Sequence, residues 1–593
     1  MNIAEKNIQS LQKNTFGGNV IEFVIGKSNN EDIPYKISSN YGINNDWNRV
    51  KDRFDFNKNT NFIVLGIGNG TIVEGIYANM SNFSTLTVIE KYNSVLMKTL
   101  GTKDMSRFLH DNRVCIIAAK TMEQSNALLK LRLMDERFVF NTPNISIVTS
   151  PYLKSYDENF VNETIYYISS QITYNTTSFG NDINDVLEGF DHIVDNWDNI
   201  LSGLGINDFK DVYKGVPAII VSAGPSLDNN IELLKKAYGK ALILTVDATA
   251  KKVMNLGIIP DTISTIERPD SMYSIFYENM SIPHDSVFLG PPVVTKKILD
   301  LFSKKIITGR KGETIVKTMV DLFDYESIEI GMSCSHIPFG FAKYIGADPI
   351  VFIGQDLSFA SDGRTHFNDV ENYVAKNADK KTQKWVVGNN GEKLLTNSGY
   401  YSFLLWFENE IANTTGITFI NATEGGARIK GTINMKLSDV IDKYCTKEIV
   451  HLSEIYDKNE KIQNLDLNMI VEKGNKFFDE LIESALFVQK CIEEQKEEFI
   501  ELKDKKTNFN KFYDIIDRLY KELSKNNVLR FIIQPFFVSY YRSVHQYSIK
   551  INDNEWNKLI FEAESYYEKL FNVMEVLKDK FNNYKDIIKG DID

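Results

Sequence analysis

Apolar residues along this chain follow two regimes. Up to about residue 436, short apolar runs alternate with stretches whose apolar positions recur every three or four residues; beyond it, only the helical spacing persists. Short apolar runs bounded by turn residues read as strands buried on both faces. Their alternation with helices predicts an α/β architecture of parallel sheets. Runs at 61–65, 86–90, 114–117 and 145–148 predict one such sheet near the start, and 20–25 reads as a further strand before it. The run at 61–65 ends in Gly66-Ile67-Gly68-Asn69-Gly70, and the next ends in Glu90. Strand, glycine turn, helix and a second strand ending in an acid make a Rossmann-type half. Either this pocket takes S-adenosylmethionine or a nucleotide, with Glu90 on ribose hydroxyls, or the turn serves packing alone.

The central region is organised around residues 216–228. The apolar run 218–221 stops at Ser222-Ala223-Gly224-Pro225, and a helical pattern carrying Ile231, Leu233 and Leu234 begins near Ser226. Such a turn presents free backbone N–H groups to an anion. Gly224 permits close approach and Pro225 fixes one φ, while Ser226 or Asp228 can cap the helix. Further strands are expected at 241–246 ending at Asp247, 262–266 ending at Glu267, 286–289, 305–308, 349–353 and 417–420. A helix is expected after Ser333-Cys334-Ser335-His336. Polar residues gather where these strands end: Gln355 and Asp356 after one, Asn421, Glu424 and Arg428 after another. That is where an open α/β sheet holds a ligand. The polar stretch 358–402, with Arg364 and His366, is long for a loop and suggests a lid or an acceptor-binding insertion. The expected domains are a Rossmann-like lobe (1–150), a helical connector (151–205), a central catalytic domain (206–436) and a C-terminal helical bundle (437–593). Within the bundle, the aromatic patch 531–541 is either core or a docking face.

Composition narrows the function. A chain of 593 residues with 43% hydrophobic and 25% charged residues is globular and exceeds one core. A net charge of −12 argues against broad nucleic-acid or anionic-membrane binding. Cys115, Cys334, Cys445 and Cys491 form no CxxC pair, which points to a reducing, cytoplasmic setting and to no zinc site. No acidic cluster has the spacing of a metal site, and no apolar run reaches bilayer length.

Taken together, Ser-Ala-Gly-Pro-Ser-Leu-Asp at 222–228, Ile-Gly-Gln-Asp-Leu at 353–357, Thr365-His366 and Asn-Ala-Thr-Glu-Gly-Gly-Ala-Arg at 421–428 resemble one family. It is the motility accessory factor family of flagellin glycosyltransferases. The likeness spans roughly residues 200 to 435 in motifs, and the flanking lobes agree with that family's layout. It implies transfer of a nonulosonic acid, of pseudaminic or legionaminic type, from a CMP-activated donor to Ser/Thr hydroxyls of flagellin. Flagellar assembly and motility would depend on that transfer. The central domain is also similar to bacterial sialyltransferases, which place Gly-Pro-Ser-Leu against CMP and carry a Ser/Thr turn, a Gly-x-Asp strand end and a loop histidine. Here these fall at Gly224, Pro225 and Ser226, then Ser333 and Ser335, then Gly354 and Asp356, then His366, the last matched only by order along the chain.

On this resemblance the transfer inverts the anomeric centre, needs no cofactor and no metal, and calls for a base. His366 is the first candidate, with Glu424 and Asp356 as base or orienter. Ser222, Gly224, Pro225, Ser226, Asp247, Ser333, Ser335, Gln355, Asn421 and Arg428 are the expected donor contacts. His336, at the head of an apolar helix, reads as packed. Two alternatives stand beside this reading. The central domain also resembles archaeal 6-hydroxymethylpterin pyrophosphokinases, which use ATP, and a flagellin-binding assembly factor would need no catalysis at all.

Overall fold

The computed structural model describes residues 3–12, 45–118, 121–178, 183–368, 384–459, 467–504, 509–547 and 552–590. The strand expected at 20–25 lies outside them. The chain forms two compact units. One comprises Met1–Gly180, Cys491–Tyr520 and Ile533–Phe571; the other comprises Asn181–Lys490, Lys521–Ile532 and Asn572–Asp593. Among the described residues, no helix is long and apolar enough to cross a membrane.

The first unit holds β1 (Asn61–Leu65), β2 (Thr85–Glu90), β3 (Val114–Ala118) and β4 (Ile145–Thr149) in the order β3-β2-β1-β4, all parallel. β1 and β2 are buried along their whole length, which is why they read as unbroken apolar runs. Gly66, Gly68 and Gly70 all adopt positive φ, so the glycine turn is real. Its crook, however, is filled by the protein itself. The Glu90 carboxylate accepts hydrogen bonds from the N–H groups of Ile67 and Tyr92, both at 2.9 Å, and from the Tyr152 hydroxyl. A Cβ on Gly66 would stand 2.9 Å from the Tyr152 hydroxyl oxygen. Glu90 therefore fastens the turn instead of standing ready for a ribose, and burial pushes its carboxyl up to about 7. The C-terminal aromatic patch packs inward here: Tyr540 stacks on Tyr566 at 3.9 Å, and Tyr541 lies 4.7 Å from Phe140.

The second unit is built on nine parallel strands. They are β5 (Leu204–Gly205), β6 (Ala218–Val221), β7 (Leu242–Val246), β8 (Thr262–Ser264), β9 (Val287–Gly290), β10 (Lys304–Ile307), β13 (Ile350–Ile353), β16 (Phe419–Asn421) and β17 (Ile433–Asn434). Their order is β17-β16-β13-β6-β7-β8-β9-β10-β5. Two short pairs stand apart: parallel β11 (Gly309–Arg310) with β12 (Ser327–Ile328), and the antiparallel hairpin β14 (Lys384–Val387) with β15 (Lys393–Thr396). From β6 the chain steps outward through β7, β8, β9 and β10, then returns to lay β13 on the other side of β6. Their carboxyl ends diverge at this reversal and open a crevice.

Two local readings change. The helix expected from Ser226 is broken into a turn at Leu227–Asn230, a 3-10 turn at Ile231–Leu233 and a short helix at Leu234–Ala237. Asn230 leaves helical φ, at −136°, because its amide donates to the Ala422 carbonyl and to Glu424. β8 stops at Ser264 instead of running to residue 266; the next residue, Thr265, turns its hydroxyl to Asp247 at 2.7 Å. The helix Leu437–Tyr444 buries Leu437, Val440 and Ile441 in one core with Ile219 and Val351 of the sheet.

Candidate functional site

The crevice is assembled from the ends of β6 and β13. Ser222 N–H donates to Ile353 O at 2.9 Å and Gly224 N–H to Gly354 O at 2.7 Å, which carries the pairing past the strands. The Ser222 hydroxyl donates to the Gln355 side-chain oxygen at 2.7 Å, and Gln355 N–H to the Thr423 hydroxyl at 3.3 Å. Asp356 gathers the turn: one carboxylate oxygen accepts from the Ser226 hydroxyl at 2.8 Å, and both lie within 3.3 Å of Ser226 N–H. Glycine is required at position 224 because a Cβ would meet Asp356 Oδ2 at 2.0 Å and Gly354 O at 2.5 Å. The close approach expected of a ligand is thus made by the protein's own carboxylate. Neither Gly224 N–H nor Ser226 N–H is left for a phosphate in the way the strand-turn-helix pattern implied.

Neither expected cap caps. Asp228 instead fastens the following loop, accepting from Asn368 N–H at 3.1 Å and pairing with Lys252 at 2.8 Å and Arg364 at 3.7 Å. Phe367 N–H donates to Ala223 O at 3.1 Å, and its ring lies under Lys252. These ties carry His366 to the crevice, although only its order along the chain had suggested it.

The result is a cleft of about 450 Å³ in which Ser222, Gly224, Asp247, Ser333, Ser335, Gln355, Asp356 and His366 share one lining. Among the described residues, its carboxylates are Asp247, Glu267 and Asp356, and its lining holds no lysine or arginine. Burial raises both Asp247 and Asp356 to about 6, and it raises Glu267 as well. Asp247 accepts from Ala248 N–H and the Thr265 hydroxyl, both at 2.7 Å, which partly offsets its desolvation. Burial lowers the His366 imidazole, and its Nδ1 lies 2.9 Å from the Thr365 hydroxyl oxygen. Burial also raises the Cys334 thiol far above its ordinary value, and its sulfur donates to Ser264 O at 2.9 Å. That thiol is a structural group, not a nucleophile.

The remaining expected residues sit elsewhere. Pro225 and Ser226 are buried behind the lining. Glu424, at a positive φ of 59°, accepts from Leu437 N–H and the Asn230 amide, both at 3.1 Å, and so caps the Leu437–Tyr444 helix. The Asn421 amide donates to Asn389, and Arg428 is exposed, its N–H paired with Val387 O. Arg364 is held by Asp362 and Asp228. His336 is a packed histidine, stacked 3.9 Å from Trp406, and burial holds it well below the usual histidine range.

One wall had no sequence signal. Met272, Phe276, Met332, Tyr400 and Phe403 line the cleft together with the polar strand ends. Tyr400 and Phe403 lie three residues apart on the helix Ser398–Ala412, which Asn397 caps by accepting from Tyr400 N–H. Apolar residues at helical spacing read as core, and nothing along the chain marks those that face a cavity. Among the described residues, no group of three or more His, Cys, Asp or Glu side chains is placed to hold a metal ion.

Residues 191–362 match a family model described as 6-hydroxymethylpterin diphosphokinase MptE-like. The match covers β5 through β13 and stops short of His366. No curated protein matches the chain in sequence. Among solved structures, the MAf glycosyltransferase from Magnetospirillum magneticum AMB-1 superposes with a TM-score of 0.60, at 14% identity, over 94% of this chain and 88% of that one. At this identity the likeness is one of fold, and it agrees with the resemblance carried by the motifs.

Proposed function

We propose that the protein is an inverting glycosyltransferase that moves a nonulosonic acid, of pseudaminic or legionaminic type, from its CMP-activated form to a Ser/Thr hydroxyl of flagellin. The observation that carries the reading is the gathering of His366 with the β6 and β13 strand ends in one cleft, on a fold shared with a glycosyltransferase. In the proposed step the acceptor oxygen attacks the anomeric carbon as the bond to the CMP phosphate breaks. The hydroxyl proton passes to His366, which burial keeps neutral at pH 7 and so able to accept it. CMP departs with the bonding electron pair. Among the described lining residues, the hydroxyls of Ser333 and Ser335 and the Gln355 side-chain N–H groups can donate to its phosphate, while the Ser222 hydroxyl holds the Gln355 oxygen. Asp356 holds the turn that shapes this wall. The apolar wall fits the carbon skeleton of the sugar or the base. Transfer without a metal is part of the proposal; activity lost in a chelator and restored by one ion would end that part.

A second reading has one observation in its favour. The family-model match points to ATP-dependent diphosphate transfer to a small alcohol, and it spans the same strand ends. A melting panel with CMP, CDP, UDP and ATP separates the two, because a ligand bound only to the native state raises Tm. CMP is expected to stabilise the protein, and Gly224→Ala, whose new methyl collides with Asp356 and Gly354, is expected to abolish the shift. Incubation with CMP-nonulosonic acid and unmodified flagellin should then yield modified flagellin, and His366→Ala should lose it at least a hundredfold. Stabilisation by ATP alone shifts the assignment to the diphosphokinase.

A further inference from the structure

The β14–β15 hairpin interrupts the stretch between two parts of the cleft lining. On one side the Thr396 hydroxyl donates to the carbonyl of Leu357, a lining residue, at 2.8 Å; on the other the chain runs directly into Tyr400 and Phe403. β14 is also stitched to the strand-end segment beside it. Arg428 N–H donates to Val387 O at 2.8 Å, Asn389 N–H to Gly426 O at 3.1 Å, and the Asn434 amide of β17 to Asn389 O at 3.2 Å. The packed side of this platform buries Val386 and Ile429. Its open side exposes Trp385 by 59%, Val387 by 58% and, on β17, Ile433 by 48%.

Exposed tryptophan beside exposed aliphatic residues is what a binding surface presents. The two segments that form it are themselves cationic. Residues 384–396 and 425–436 carry five cations and one carboxylate in a chain of net charge −12. Arg428, Lys393, Lys430 and Lys436 are exposed, while Glu392 is turned back to Asn390 N–H. Trp385 and Val387 are alternate residues of a strand, so their side chains recur at the interval of same-face side chains in an extended chain, about 7 Å.

The geometry points to this face as the docking surface for an extended, acidic segment of the acceptor polypeptide, apolar side chains on Trp385 and Val387 and carboxylates on the fringe. The assignment rests on the transferase reading above, because it places the acceptor beside the cleft that holds the donor. The fringe steers and orients an acidic partner, while the desolvated tryptophan supplies most of the affinity.

Trp385 is the most exposed of five tryptophans, so iodide quenching of intrinsic fluorescence reports on it directly. The probe is a tryptophan-free, unmodified flagellin. It is expected to protect Trp385 from iodide. The double variant Trp385→Ala/Val387→Ser and the charge reversal Lys393→Glu/Lys430→Glu should each weaken flagellin binding at least tenfold by thermophoresis, with the CMP-induced rise in Tm unchanged. The proposal is overturned if both variants bind flagellin within twofold of the wild type while CMP still stabilises them. It is equally overturned if the wild type, stabilised by CMP, binds no flagellin, or if the double variant only converts a dimer to a monomer in sedimentation. Should flagellin protect Trp385 while CMP stabilises nothing, the docking face stands and the transferase reading falls.

Discussion

Asp247 shows what a single residue of this cleft costs the fold. Its carboxyl is wholly buried at the end of β7, and desolvation raises it from 3.8 to about 6 against only two hydrogen bonds. A folded-state value above the unfolded one contributes stability that is present in full below pH 3.8 and lost as pH rises through about 6. Two units correspond to about 3 kcal/mol, so at neutral pH the ionised group is a net burden. Asp247→Asn keeps an acceptor for Ala248 N–H and removes the charge. It is expected to stabilise the protein by about 1–2 kcal/mol at pH 7.5, read as a higher Tm, and to change nothing at pH 4. At this scale the chain was legible in part. Strand-end positions such as Ser222, Asp247 and Asp356 announced themselves because a polar residue closing an apolar run has few other reasons to be there. Glu424 and Asn421 carried the same signature, yet their groups are spent on Leu437 N–H and Asn389, which no local pattern discloses.

At the scale of elements, the short strands were readable because each is buried on both faces and must be apolar throughout. The segment after Ser226 misled because helical spacing of Ile231 and Leu234 is also satisfied by a broken helix, and the break is made by Asn230 reaching across to Ala422. Long-range ties of this kind also govern how elements respond to pH. The helix Leu452–Asp457 is pinned by Asp261, which accepts from Leu452 N–H at 3.2 Å and lies 3.0 Å from His451 Nδ1. The hydrogen bond to Asp261 raises the His451 imidazole above 6.5. Its contribution is therefore complete below pH 6.5 and fades as pH rises through the raised value. Tm should fall over that window in the wild type, and His451→Gln should remove that part of the slope while lowering Tm at pH 6.

The whole molecule is divided in a way that no composition shift reveals. Proline and glycine thin out from about residue 437, which marks a helical segment, but the segment is shared between the two units. In the first unit, residues 520, 537 and 541 surround Phe140; in the second, Phe478, Phe581 and Tyr584 surround Phe190. Removing residues 437–593 strips both cores of buried aromatics, each worth about 3–5 kcal/mol. A chain ending at Lys436 is expected to be insoluble or to melt without a cooperative transition; a sharp melt from residues 1–436 would count against this partition. By itself the sequence determined the elements buried on all sides: the parallel strands, their glycine turns and the polar residues at their carboxyl ends, because burial imposes a local and periodic composition. Only the tertiary structure decided that Glu90 and Asp356 close on their own turns, that His366 reaches the cleft, which aromatics face it, and how the C-terminal helices are shared. Each of those depends on groups far apart in the chain meeting in space, and pairwise contact leaves no period along a sequence.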